Sequence, residues 1–165
     1  IFGEMALLEN KPRSASAIAH EDVTLLAVNK QNFQRMVQSQ PQLITKLTTL
    51  LSERIWFAYK QLTNTLIKNA VGKLFDRLLL QLEKDRVPLN PGESYTFDFG
   101  ANDLANMVGL SSGESGEHIR KLFENKRLKL IDNKIFVSDV DEIRKQAEYF
   151  QKMEAIERSR KSSKT

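Results

Sequence analysis

Residues 102–124 read NDLANMVGLSSGESGEHIRKLFE, and the fold is decided there. From Asn102 to Val108 the apolar residues Leu104, Ala105, Met107 and Val108 recur at helical spacing. Gly109-Leu110-Ser111 supplies a turn, and Ser112 to Glu124 returns to helical spacing with Ile119, Leu122 and Phe123 inward. Two short helices joined by a tight turn that contains glycine predict a helix-turn-helix unit. Directly behind it, Leu128 to Ile131 and Lys134 to Val137 read as strands joined by Asp132-Asn133, residues that tolerate the positive φ of a tight hairpin. A hairpin following a helix-turn-helix predicts a winged helix.

Upstream, residues 70–84 form an amphipathic pattern with Val71, Leu74, Phe75, Leu78, Leu79 and Leu82 on one face. Arg86 to Ser94 is a loop carrying Pro88, Pro91 and Gly92, and Tyr95 to Phe99 alternates as a short strand. Pro41 suits the first turn of a long helix, and no Pro or Gly interrupts residues 42–71. Leu47, Leu51, Ile55, Ala58, Leu62 and Leu66 make one apolar stripe along it. A helix of about 28 residues is roughly 42 Å long. The natural partner for so long a stripe is a second copy, in a parallel coiled coil, which predicts a homodimer. The alternative is a helix packed on its own domain.

Nearer the start, 15–19 and 23–28 read as strands separated by His20-Glu21-Asp22, and Asn29 reads as the N-cap of a short helix through Val37. At the far end, 139–158 reads as a helix capped by Asp139, followed by a basic, serine-rich tail from Arg158 to Thr165 that is expected to fray.

Composition narrows the function. Hydrophobic residues are 41% and charged residues 28% of 165, ordinary for a globular chain. No apolar run approaches the roughly 20 residues that span a bilayer. Zero cysteines exclude disulfides, thiolate clusters and a cysteine nucleophile within this sequence, and two histidines argue against a histidine-rich metal site. No Ser/His/Asp order, P-loop or metal-ligand spacing is present, so an enzyme is not expected. The net charge of +4 is unevenly spread: residues 69–117 carry four basic and eight acidic groups, whereas 118–137 carry six and two. Arg120, Lys121, Lys126, Arg127, Lys129 and Lys134 are the six, placed to contact phosphates. Such contacts set affinity and salt dependence rather than sequence preference.

Phe2-Gly3-Glu4-Met5-Ala6-Leu7-Leu8, followed by Pro12-Arg13-Ser14-Ala15, resembles the phosphate cassette of cyclic-nucleotide-binding domains. Gly3 permits close approach of backbone to ligand, and a helix starting near Glu4 aims free N–H groups at an anion. Arg13 can grip a cyclic phosphate with two parallel hydrogen bonds, and Ser14 can donate another. Glu4, repelled by phosphate, is suited to accept from a ribose hydroxyl. Ala6 belongs to the same Gly-Glu-x-Ala-Leu run and is counted with Gly3, Glu4, Arg13 and Ser14 among the ligand-binding positions.

Cassette, strand pair, long helix and winged helix follow the order of the bacterial cyclic-AMP receptor protein family, the Crp/Fnr-type regulators, which the chain resembles over residues 1 to about 142. The resemblance implies an α+β, mostly helical fold. Its parts would be a partial cyclic-nucleotide-binding β-roll over 1–38, a long dimerisation helix over 39–68, a winged helix-turn-helix domain over 69–142, and a C-terminal helix and basic tail over 143–165. It further implies a cytoplasmic homodimeric transcription regulator, with cyclic AMP as the first-choice effector and double-stranded DNA and RNA polymerase as partners. Family members carry a fuller β-roll before the cassette, so a chain beginning part-way through the sensor is expected.

Two departures stand out. The family's cyclic-AMP sensors place a Thr-Ser pair on the long helix against adenine; here Ala58 and Tyr59 stand there, beside Trp56 and Phe57. Tyr59 can reach a base with its hydroxyl or stack on it, and packing against the roll is the competing role for these aromatics. In the reading helix the family pattern is Ser-Arg-Glu-Thr-x-x-Arg, whereas Ser111 to His118 holds one extra residue. Ser112 or Gly113 replaces the first guanine-reading arginine and His118 the second. Glu114 keeps the family's glutamate and can accept from a cytosine amino group, and Ser115 matches a phosphate contact. A helical wheel turns Gly113, Glu114, Glu117 and Lys121 outward with His118 at the flank. That outward face is acidic near its start, so a protein-interaction or dimerisation module with weakened DNA binding is the alternative.

Overall fold

In the computed structural model the described residues are 1–9, 11–13 and 15–162. The chain divides into two units, Ile1–Glu53 and Arg54–Thr165.

In the first unit a six-residue helix α1 (Glu4–Glu9) is followed by extended chain and by α2 (Lys30–Ser39). Asn29 caps α2, its side-chain oxygen accepting from Asn32 N at 2.9 Å, as the sequence predicts. The two strands expected at 15–19 and 23–28 are not formed. Their side chains are exposed: Ile18 is 92% and Leu26 88% exposed. Among the described residues no strand of this unit lies beside them, and an extended segment without a paired neighbour has no hydrogen-bond ladder to join.

The helix α3 (Gln42–Thr65) begins after Pro41 and is shorter than the uninterrupted pattern over 42–71 predicts. It stops without Pro or Gly. Asn69 takes an extended conformation and caps α4 (Ala70–Lys84), accepting from Gly72 N at 2.9 Å. Asn64, buried at the end of α3, donates from Nδ2 to Lys73 O at 3.0 Å and to Asp76 Oδ2 at 2.8 Å. Side-chain capping thus divides what helix propensity alone would join.

Among the described residues the second unit is built around one hydrophobic cluster. Leu74, Phe75, Leu78 and Leu82 of α4 meet Phe97, Leu104, Leu122, Leu128, Ile135, Val137, Val140, Ile143 and Ala147. A short strand β1 (Tyr95–Thr96) precedes α5 (Ala101–Met107), α6 (Ser112–Phe123), β2 (Leu128–Ile131) and β3 (Lys134–Val137). The sheet is antiparallel in the order β1-β3-β2, with Tyr95 opposite Val137 and Leu128 also opposite Val137. Only the first two residues of the strand expected at 95–99 join the ladder proper, although Phe97 N donates to Ile135 O at 2.8 Å and Ile135 N to Phe99 O at 3.1 Å. Asp132 and Asn133 carry φ of 49° and 59°, as the hairpin requires.

The final helix α7 (Val140–Ser162) is preceded by Asp139, whose Oδ1 accepts from Asp141 N at 3.2 Å. It runs past the expected end at 158, because its interior packs on α4 and its exposed turns contain no helix breaker. Phe150 stacks on Phe75 with ring centroids 6.2 Å apart. The architecture is α+β and mostly helical, a winged helix-turn-helix with an added C-terminal helix.

Candidate functional site

The cassette is local to the first unit. Gly3 has φ +81°, a left-handed conformation that favours glycine. The Arg13 guanidinium lies directly over it: a Cβ on Gly3 would stand 1.3 Å from Nη1 and 2.5 Å from Cζ. Glu4 is buried at the start of α1, Ala6 is half-buried and Arg13 is exposed. Gly3 and Arg13 therefore come together beside Glu4, with a cation held against the backbone where α1 begins, and Ala6 lies in the first turn of α1. That donor set fits an anionic group such as a cyclic phosphate. Ser14 lies outside the described residues. Tyr59 belongs to the second unit, where it is 62% exposed on α3. Of its aromatic neighbours, Trp56 lies under Lys60 Nζ at 5.0 Å and Phe57 under Lys84 Nζ at 5.4 Å, so Phe57 is occupied by packing with α4.

The helix-turn-helix is built by specific local contacts. The Asp103 carboxylate accepts from Gly100 N at 3.0 Å and caps α5. A Cβ on Gly100 would stand 2.5 Å from Asn133 O, so the hairpin tip seats directly on the start of α5. Gly109, at φ +71°, makes the turn, and Leu110 N closes it on Ala105 O at 3.0 Å. Ser111 precedes α6, its carbonyl accepting from Glu114 N and Ser115 N at 3.0 and 2.9 Å.

On α6 the predicted outward residues Gly113, Glu114, Glu117 and Lys121 are exposed. Both acids are engaged within the helix. The Ser111 hydroxyl donates to Glu114 Oε2 at 2.7 Å and holds that carboxyl below its ordinary range. Lys121 Nζ donates to Glu117 Oε1 at 2.6 Å with the same effect. His118 is half-buried, and its Nδ1 is buried without a hydrogen-bond partner among the described residues. Its ring thus sits nearer the domain than a base-reading side chain does, beside a 340 Å³ cavity lined also by Asn69, Val71 and Phe150. Ser115 is half-buried, and the side chain of Ser112 lies outside the described residues.

Arg120, Lys121, Lys126, Arg127, Lys129 and Lys134 are all exposed. Three are paired: Lys121 with Glu117, Arg127 with Asp139 at 3.5 Å, and Lys134 with Asp98. Arg120, Lys126 and Lys129 make no ion pair among the described residues. The Lys121–Glu117 and Lys134–Asp98 pairs are exposed, worth little, and exchange readily for a phosphate. Two residues with structural weight at the junction of α3 and α4 escaped sequence reasoning. Asn69 has an N-cap signature that an apparently continuous helical pattern conceals, and Glu154 has a partner 85 residues away in sequence.

Comparison with known proteins finds similarity of sequence to one domain family and to several regulators. The family description "Cyclic nucleotide-binding domain" matches residues 1–40. A cyclic AMP receptor protein of Thermus thermophilus is 32% identical over 111 residues, covering 67% of this chain and 48% of that protein. A cAMP-activated global transcriptional regulator of Haemophilus influenzae is 23% identical over 122 residues, covering 73% and 54%. A CRP-like cAMP-activated global transcriptional regulator of Mycobacterium tuberculosis is 18% identical over 147 residues, covering 89% and 66%. Among solved structures, the Thermus thermophilus catabolite activator protein is 26% identical with a TM-score of 0.38, covering 90% of this chain and 67% of that one. The chain resembles the Crp/Fnr-type regulators, and it spans about half the length of its Thermus relative. Among the described residues no helix is long and apolar enough to cross a membrane.

Proposed function

We propose that this chain belongs to a cytoplasmic DNA-binding transcription regulator of Crp/Fnr type rather than an enzyme. It answers a cyclic nucleotide, cyclic AMP first, and works as a homodimer joined along α3. The observation that carries this reading is the helix-turn-helix with its wing seated on α5 and an exposed basic cluster over the end of α6 and the wing. Arg120, Lys126 and Lys129 are available to phosphates at once. Lys121, Arg127 and Lys134 exchange an internal carboxylate for one. Ser112, Gly113, Glu114, Ser115, Glu117 and His118 lie along the reading helix. With no arginine at its start, sequence preference rests on Glu114 accepting from a cytosine amino group and on groove shape.

At the cassette, Arg13 holds a cyclic phosphate against the Gly3 backbone, with Ser14 as a further donor and Glu4 as acceptor for a ribose hydroxyl. Tyr59 is the candidate contact to the base. The exposed apolar residues Ile55 and Leu62 of α3, with Leu66 just beyond its end, meet their counterparts in a second copy. Effector binding biases the dimer helix and so the placement of two winged helices, and RNA polymerase is the downstream partner.

DNA binding is tested by affinity for genomic fragments at several salt concentrations. A dimer holding several phosphates gives a log–log slope of several negative units. No shift and no slope refutes the reading. That outcome would favour a protein-interaction module, for which the exposed Glu114 and Glu117 are the supporting observation.

A further inference from the structure

The four residues between α3 and α4 pose a backbone accounting problem. Leu66 N donates to Thr63 O at 3.0 Å and Ile67 N to Asn64 O at 3.1 Å, so the last turn of α3 satisfies both. Lys68 N and Asn69 N donate instead to one carboxylate oxygen, Glu154 Oε1, at 2.7 and 3.2 Å. Glu154 comes from α7 and is 9% exposed. Its other oxygen is buried and accepts no hydrogen bond among the described residues. The carboxylate therefore spends its hydrogen bonding on the two linker amides alone among the described residues.

The surrounding contacts brace the same junction. Gln151 Nε2 donates to Asp76 Oδ1 at 2.6 Å, and Asp76 Oδ2 accepts from Asn64. Phe150 stacks on Phe75, and a Cβ on Gly72 would stand 2.9 Å from Phe150 Cβ. One face of α7 therefore touches the linker and the first turns of α4, and Asp76 of α4 joins it to Asn64 at the end of α3.

We propose that Glu154 is a positioning residue: it pins the linker, so that α7 fixes the orientation of the winged helix on the second half of α3. The proposal deepens the regulator reading and rests on it for its biological meaning, but the pin itself is a property of the fold. In that reading α7 decides how faithfully a bias in the long helix reaches α6. Truncating α7 would not test this, because Ile143 and Ala147 belong to the core.

The test uses Glu154→Ala and Glu154→Gln in the full chain. Gln keeps the accepting oxygen. Amide exchange is followed at Lys68 and Asn69, and interior amides of α4 and β3 serve as the control for global opening. The chain has no cysteine, so spin labels introduced by Gln61→Cys and Asn106→Cys report the orientation of the winged helix on α3. Glu154→Ala is expected to speed exchange at both linker amides at least ten-fold and to broaden the label distance distribution. Glu154→Gln is expected to restore both, with control amides unchanged throughout. Unchanged linker exchange, or a distance distribution as narrow in Glu154→Ala as in the parent, overturns the proposal. Faster exchange at every amide overturns it too, since Glu154 would then be an ordinary stability residue. A parent chain that binds no DNA would defeat the regulator reading and leave these readouts to decide the pin by themselves.

Discussion

Gly3→Ala separates the two things the cassette geometry claims. Alanine at φ +81° carries a left-handed penalty of about 1–2 kcal/mol, borne by a short exposed segment. Its more telling effect is on Arg13. The new Cβ would stand 1.3 Å from Nη1, so the guanidinium must retreat by roughly 2 Å to reach an ordinary contact distance. The guanidinium is the flexible end of its side chain, so the clash is relieved by moving the cation off the backbone. A charge-assisted hydrogen bond of this kind is worth about 1.5–3 kcal/mol, so losing its geometry should weaken cyclic-nucleotide binding roughly 10- to 150-fold. Calorimetric titration of the full-length protein with cyclic AMP measures this. The decisive arm is the cycle with Arg13→Ala. If Gly3 acts by seating Arg13, Gly3→Ala should cost little further once Arg13 is gone. Parental affinity in Gly3→Ala, or fully additive losses in the double variant, would refute the seating argument.

Further outcomes follow from the second unit. Gly100→Ala brings a Cβ to 2.5 Å from the Asn133 carbonyl and should destabilise by about 1–3 kcal/mol, read as a drop in thermal midpoint of roughly 4–8 °C per kcal/mol. Gly116→Ala meets open space in mid-helix and should raise stability by about 0.5–1 kcal/mol in denaturant titration. Asp141 is hydrogen-bonded first by Lys145 and then by Arg144, which holds its carboxyl below the ordinary 3.8. A depressed carboxyl stabilises the fold above its unfolded value and loses that contribution as pH falls through the folded one. Denaturation midpoints should therefore hold from neutral pH to about 4 and fall below it, and Asp141→Asn should lower the neutral midpoint and flatten the acid limb. Lys126→Ala should weaken DNA binding evenly across sequences and reduce the salt slope by about one unit per protomer, read by titration at several salt concentrations.

Local pattern carried most of the second unit. Apolar spacing placed α4, α5 and α6 within a residue or two, Asp132-Asn133 marked the hairpin, and Asn29 marked a helix start, because each depends on neighbours a few positions away. The segments 15–19 and 23–28 show where pattern fails. A strand is stabilised by a partner, and alternating or β-branched residues cannot supply one. The long helix failed for the opposite reason. Leu66 to Asn69 holds no Pro or Gly; the break is made by the local cap of Asn69 on Gly72 and by Asn64 and Glu154 acting through the tertiary structure.

The candidate sites divide the same way. The spacing of Gly3, Glu4 and Arg13 was legible because those residues act within one short segment, and the six cations over 118–137 were legible as a charge cluster. Sequence could not say that Lys121, Arg127 and Lys134 already hold carboxylates, or that the His118 Nδ1 is turned into the domain. Which stretches favour helix, and where charge and glycine fall, can be read along the chain, since these depend on contacts within a turn or two. Only the tertiary structure decided how the linker after the long helix is held and which cations are engaged. A hydrogen bond such as Glu154 to Asn69 closes across 85 residues, and only the packed fold brings its two ends together.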